Sequence, residues 1–305
     1  MSPHRPHQVI PRGAHRPSPL AGRWYPADAA ALTAEVEGYL EDARASLGPR
    51  AERLTERLDP RFILAPHAGL IYSGPVAAEA WLATADLAPE RIVIVAPAHR
   101  VAFEGVAIGD FETFTVGRGG GERRVAVDRA RLGLLVERFP EVVGFVPGAH
   151  DEEHAIEIQL PFALALHPGV PIVPLLAGRV ATRALVPVIQ AALEDAGDQD
   201  LARRGEPRRG GLLVVSSDLS HFHPYDDARA LDLGTLAEVR TLAEGALSGE
   251  RACGYRGLAA ALVLARGRGY AAELIDYRSS GDTAGDRDSV VGYGAAAFGP
   301  RPPAL

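Results

Sequence analysis

At 305 residues the chain is long enough to bury a sizeable core, as one large α/β domain or two smaller ones, and a single domain is the preferred reading. An apolar fraction of 47% and a charged fraction of 23% fit a soluble globular protein, and no apolar run approaches the roughly 20 residues of a membrane span, so no membrane role is expected. A net charge of -7 with both signs interspersed gives no field that attracts nucleic acid, and no nucleic-acid partner is expected.

Residues 1–19 are rich in Pro, His and Arg and read as a disordered tail, in which His4, His7 and His15 would bind metal only loosely. Order is expected from Ala21-Gly22-Arg23-Trp24-Tyr25-Pro26, so the domain spans 20–305. Asp28 can cap a helix whose buried face is Leu32, Val36, Tyr39, Leu40 and Leu47. A charged stretch, about 47–60, precedes the strand 62–64, which Pro66 stops, leaving His67 at its carboxyl end. Ser73 can cap the next helix, with Gly74 and Pro75 in its first turn and its end near Asp86.

The run 92–96 is a second strand of this kind and leads to Pro97-Ala98-His99. Residues 105–109 and 111–117 read as a short strand pair, and Gly119, Gly120 and Gly121 as a flexible turn without the context of a phosphate loop. An amphipathic helix over 128–139 and a strand over 142–146 lead to His150-Asp151-Glu152-Glu153-His154. One helical turn separates the two histidines. Asp151, however, reads as an N-cap that leaves His150 outside the helix, so a role for His154 in supporting a ligand or facing substrate is preferred to a paired zinc site.

A strand over 170–176, a helix over 181–195 and a loop over 199–211 precede the strand 212–215, after which come Ser216, Ser217, Asp218 and His221. A histidine after one strand is most simply a loop residue; three strands ending this way point to one ligand-binding edge. Helices over about 227–247 and 254–266 follow, with Cys253, the single cysteine, at the entrance of the second, where the helix dipole favours a thiolate. A metal ligand, a reactive thiol and a small buried hydrophobe all remain open for it. A strand over 273–277, a polar turn over 281–288 and a strand over 289–298 complete an alternation that makes the fold class α/β. One cysteine permits no internal disulfide, which fits a reducing compartment; the amino terminus lacks the apolar core of a signal peptide, so a cytoplasmic location is expected. The chain has no lysine, which excludes Schiff-base and phosphate-loop lysine chemistry.

Seven ordered blocks carry a resemblance: Gly22 to Pro26, Pro66-His67-Ala68-Gly69, Pro97-Ala98-His99, Glu153-His154-Ala155-Ile156-Glu157, Ser216 to His221, Cys253-Gly254, and Gly285-Asp286-Arg287 with Ser289-Val290-Val291-Gly292-Tyr293. Together they resemble the Memo-like family, in particular component B of the AmmeMemoRadiSam system. The resemblance implies a single domain like the class III extradiol dioxygenases, with a largely parallel, mixed sheet flanked by helices. It further implies a non-haem metal, Fe(II) foremost with Cu or Zn as alternatives, held by His67 and His99 with Cys253 near or on it. His221 would match the catalytic histidine, with Asp218 orienting it or raising its pKa, and His154 would be a further pocket histidine. The dioxygenases supply a carboxylate where this sequence matches Cys253, and Arg100 stands where the family often has a second histidine.

The implied function is redox or dioxygenase-like action on an unidentified small molecule, alongside radical SAM and AMMECR1-like partners. Two alternatives are a metal-dependent hydrolase with His221 as general base and a non-catalytic scaffold with a vestigial site. A Ser216 or Ser217 nucleophile lacks the Gly-x-Ser-x-Gly context.

Overall fold

A computed structural model describes residues 15–48, 58–194 and 210–301. The expected tail through residue 14 with His4 and His7, the stretch 49–57 and most of the expected 199–211 loop lie outside the described residues. Structure begins earlier than Ala21: β1 (His15–Arg16) pairs with a strand near residue 113, and Arg16 is buried. α1 (Ala29–Leu47) starts where the Asp28 carboxylate accepts the Ala31 amide at 2.8 Å, and it buries Leu32, Val36, Leu40 and Leu47.

β2 (Phe62–Ala65) is wholly buried. α2 (Leu70–Leu82) begins a turn before the expected Ser73 cap, because Trp24 O holds the Leu70 amide at 3.0 Å and Ser73 Oγ turns back to Ala68 O at 2.9 Å. Pro75 is therefore inside the helix rather than in its first turn.

β3 (Ile92–Pro97) is followed by β4 (Val106–Ile108), β5 (Thr113–Val116) and β6 (Arg123–Ala126). The expected pairing of the 105–109 and 111–117 strands does not form. β4 joins the main sheet, whereas β5 pairs with β1 and β6 in a separate small sheet. α3 (Arg129–Arg138), capped by Asp128, leads to β7 (Val143–Phe145), then a single 3-10 turn (Glu157–Gln159) and α4 (Leu160–Leu166). The remaining elements are β8 (Ile172–Ala177), α5 (Thr182–Leu193), β9 (Leu212–Ser216), β10 (His221–His223), α6 (Tyr225–Thr241), α7 (Tyr255–Gly267), β11 (Ala271–Ser279), α8 (Ser280–Thr283) and β12 (Val290–Gly299).

Four parallel strands in the order β2-β9-β3-β8 form the centre, and their near-continuous apolar runs are what a sheet covered on both faces requires. β12 runs antiparallel beside β2 and carries β11 and β10; β4 runs antiparallel beside β8 and carries β7. The connection from β2 through α2 to β3 runs across the sheet in one direction, and that from β8 through α5 to β9 in the other. Right-handed crossovers then place α2 and α5 on opposite faces. α7 packs on α5, β3 and β9. The chain is thus one α/β domain with a mixed central sheet flanked by helices, in agreement with the class III extradiol dioxygenase-like arrangement. Reversal of winding direction beside β9 opens a crevice at the carboxyl edge of β2, β9 and β3.

Candidate metal centre

His67 leaves β2 and His99 leaves β3, each two residues past its strand, with β9 between them. Strands two ladders apart lie about 9.5 Å from one another, yet the two rings lean together over the end of β9, with centroids 5.3 Å apart and planes at 79°. The Asp218 carboxylate, just beyond β9, accepts the His67 amide at 2.6 Å and fixes that lean. Cys253 arrives from the start of α7, its Sγ 3.2 Å from His67 Nε2. Gly254 permits this approach: a Cβ there would meet Ser217 Cβ at 2.7 Å and Ser216 O at 2.8 Å, and its amide donates to Ser217 Oγ at 2.8 Å. One ligating atom each from His67, His99 and Cys253 falls within 4.8 Å of the others.

Hydrogen-bond inventory fixes the tautomers. Trp81 Nε1, which can only donate, gives its hydrogen to Gln159 Oε1 at 2.8 Å, so the Gln159 amide nitrogen donates to Pro66 O at 2.8 Å and Ser216 Oγ at 3.0 Å. Ser216 Oγ spends its own hydrogen on Ala155 O at 2.6 Å. It must then accept from His67 Nδ1 at 2.9 Å, which leaves the Nε2 lone pair of His67 aimed at Cys253. His99 is set by Glu153: its amide donates to Oε2 at 2.6 Å and its Nδ1 to Oε1 at 2.9 Å, leaving Nε2 free. An imidazole whose second nitrogen donates to a hydroxyl or carboxylate is the usual partner of a bound metal.

His99, Glu153 and His154 also lie close enough to share an ion. Glu153 Oε1, however, already accepts from His99 Nδ1 and from the amides of His154 at 2.9 Å and Ala155 at 3.1 Å, so the carboxylate orients a ligand rather than acting as one. Burial pushes the Glu153 carboxyl up, but the hydrogen bond and charge of His99, with His154 adding to them, outweigh it and bring the pKa down to about 2. His154 stacks between Trp24 at 4.4 Å and His99 at 4.6 Å, and burial, then His67, lowers its pKa to about 3. Its Nδ1 is buried without a hydrogen-bond partner.

The segment carrying Glu153 and His154 is clamped from the amino-terminal end. Arg16 pairs with Glu157 and donates to His150 O at 2.6 Å and Glu153 O at 2.7 Å, while Tyr25 OH donates to Glu157 Oε1 at 2.6 Å. His150 stays apart from His154: its Nε2 reaches Ala107 O at 3.2 Å, and its ring meets Phe111 edge-on at 5.6 Å. Asp151 sits in a turn and caps no helix, because the chain between 150 and 156 follows Arg16.

His221 Nδ1 donates to its own chain, at Leu219 O, 2.9 Å away. The hydrogen bond that orients His221 is thus made by a backbone carbonyl; the Asp218 carboxylate accepts the His67 amide and also interacts through its charge with His221. Phe222, exposed and at φ 62°, holds a left-handed kink directly after His221, where the pairing with β12 shifts register. Asp232 accepts the Ser220 amide and Tyr277 OH, both at 2.9 Å, and so anchors the same kink. Neither serine is available as a nucleophile, since Ser217 Oγ donates to Asp218 O at 2.7 Å and Ser216 is committed as described.

The donor set fits a cation. Burial, then His99, holds His67 well below its ordinary pKa, and burial, then Asp218, pushes the Cys253 thiol up to about 12. Against the dipole-favoured thiolate expected for Cys253, the thiol by itself keeps its proton, and only a positive charge at the cluster would reverse this. Glu153, Ser216, Gln159 and Arg16 are the site residues that sequence reasoning left without a supporting role. Glu153 alone had a signal, its place one residue before His154.

An α/β sheet whose carboxyl edge gathers two imidazoles and a thiol defines a protein with a candidate metal centre. The chain belongs to the Memo-like family, whose model, described as Memo-like protein, matches residues 16–297. It is 30% identical over 297 residues to a MEMO1 family protein of Sulfolobus acidocaldarius, and 31% identical over 299 residues to one of Saccharolobus solfataricus. In each case 92% of this chain and 98% of the relative are covered.

Proposed function

We propose that this protein is a dioxygenase-like oxidoreductase that holds Fe(II), with Cu or Zn as alternatives, through His67, His99 and Cys253. The observation that carries the reading is the convergence of His67 Nε2, a His99 nitrogen and Cys253 Sγ, with both imidazole tautomers fixed from behind by Ser216 and Glu153. Two neutral imidazoles and one anionic sulfur suit a divalent transition metal, which when bound supplies Lewis acidity and redox capacity at open positions.

His221 holds its Nδ1 hydrogen on Leu219 O and keeps Nε2 free to take or return a substrate proton. Asp218 keeps the His67 backbone in place, and Trp24 stacks on His154, which in turn stacks on His99. The substrate is a small molecule. A cytoplasmic setting with radical SAM and AMMECR1-like partners is part of the same proposal; in keeping with it, no helix among the described residues is long and apolar enough to cross a membrane.

Metal analysis of the purified protein tests the centre. About one metal per chain is expected, with loss in a folded His67→Ala/His99→Ala variant. Unchanged metal content in that variant would rule the site out.

A further inference from the structure

The cavity beside the centre has a lining that the proposed reaction leaves unassigned. It encloses about 220 Å³ and shares His99 and Cys253 with the metal cluster. Sites for drug-sized ligands run from about 300 to 1,000 Å³, so the natural occupant is smaller. Two arginines, Arg179 and Arg256, line it together with small and apolar residues, and no aspartate or glutamate does, although the chain carries a net charge of -7.

The two arginines differ. Arg179 is largely exposed and lies 3.6 Å from Glu104. Arg256 is half-buried and has no carboxylate at ion-pair distance among the described residues; its guanidinium carbon lies 4.5 Å from the centre of the Tyr255 ring. Its position is fixed by the next residue: a Cβ on Gly257 would meet Val95 at 2.9 Å, so the first turn of α7 lies directly on β3. A cation held at the wall of a small cavity by stacking and close helix-to-strand packing is placed for a ligand rather than for an ion pair within the fold.

We infer that this cavity is the substrate subsite and that it takes a small molecule bearing an oxyanion, carboxylate or phosphate, on Arg256, with Arg179 at the rim and the reacting end toward His99 and Cys253. Its role as a substrate site rests on the proposed metal reaction; the anion site itself does not.

Calorimetric titration with sodium phosphate, benzoate and its neutral isostere benzamide tests it on the wild-type protein before and after EDTA treatment, and on Arg256→Gln. At least one oxyanion is expected to bind wild type about 10- to 100-fold more tightly than benzamide, the range of a charge-assisted contact, and to lose that margin in Arg256→Gln. Arg256→Lys should recover part of it. Tighter phosphate binding assigns a phosphorylated substrate, and tighter benzoate binding a carboxylate. The margin should survive EDTA treatment, so failure of the metal centre and failure of the anion site are read separately. Benzamide binding as tightly as both oxyanions, an unchanged margin in Arg256→Gln, or a margin that disappears with EDTA treatment would each overturn the subsite.

Discussion

His221 is the residue on which the catalytic reading turns. Its Nδ1 is occupied by Leu219 O, and the three-residue cluster of converging donors is complete without it. A His221→Gln variant should therefore keep its fold and its metal while losing turnover by about 10²- to 10⁴-fold, the usual contribution of a positioned acid or base. Oxygen consumption against a panel of small oxyanionic substrates would measure this. Metal loss as complete as in the double-histidine variant would promote His221 to ligand. Cys253 gives a second test at the same scale. With its pKa pushed up to about 12, the metal-free thiol carries little thiolate at pH 8, so its alkylation rate should rise about tenfold per pH unit up to pH 10 or beyond. A rate that levels off near pH 9 would mean an ordinary exposed thiol. Bound metal should suppress labelling at every pH.

At the scale of elements, the centre depends on how closely α7 approaches the end of β9. Gly254 is the contact point, and Gly254→Ala puts a methyl group within 2.7 Å of Ser217. Overpacking of that kind costs about 1–3 kcal/mol, and here it would also move Cys253 away from His67. A lowered thermal midpoint together with weaker metal binding is expected, and a variant with both unchanged would show that the approach is not needed. The kink at Phe222 is the corresponding device on the other side, where a non-glycine residue in the left-handed region is held by Asp232 and β12.

For the whole molecule, histidines buried away from the centre link stability to pH. Burial, then Arg16, lowers the His150 pKa to about 3, and burial lowers that of His167 as well. Between their unfolded pKa near 6.5 and the lower folded values, the unfolded chain binds more protons than the folded one. Their contribution is therefore whole above about pH 6.5 and is lost as pH falls below it, down to about 3 for His150, with a slope of up to about 1.4 kcal/mol per pH unit for each histidine. Urea midpoints should already fall between pH 6.5 and 5, and His150→Gln should flatten that slope. An equal slope in wild type and variant would assign the acid sensitivity elsewhere.

The sequence by itself determined the strands and the histidines at their ends. Runs such as Ile92-Val93-Ile94-Val95 read as strands covered on both faces, and prolines after them leave His67 and His99 at strand carboxyl ends; the parallel pairing that brings those ends to one edge is tertiary. The α/β class and the family followed from the same local signals. Tertiary structure alone decided what holds those histidines. Glu153 behind His99, the chain from Trp81 through Gln159 to Ser216 behind His67, and Arg16 across the 150–157 segment join residues 54 to 149 positions apart, and no local pattern encodes such pairings. For the same reason Arg16 read as part of a tail, and the contact of Asp218 with His67 was not legible. A carboxylate three residues from a histidine is near it in sequence, but the strand order β2-β9-β3 brings it to the amide of His67, 151 residues away.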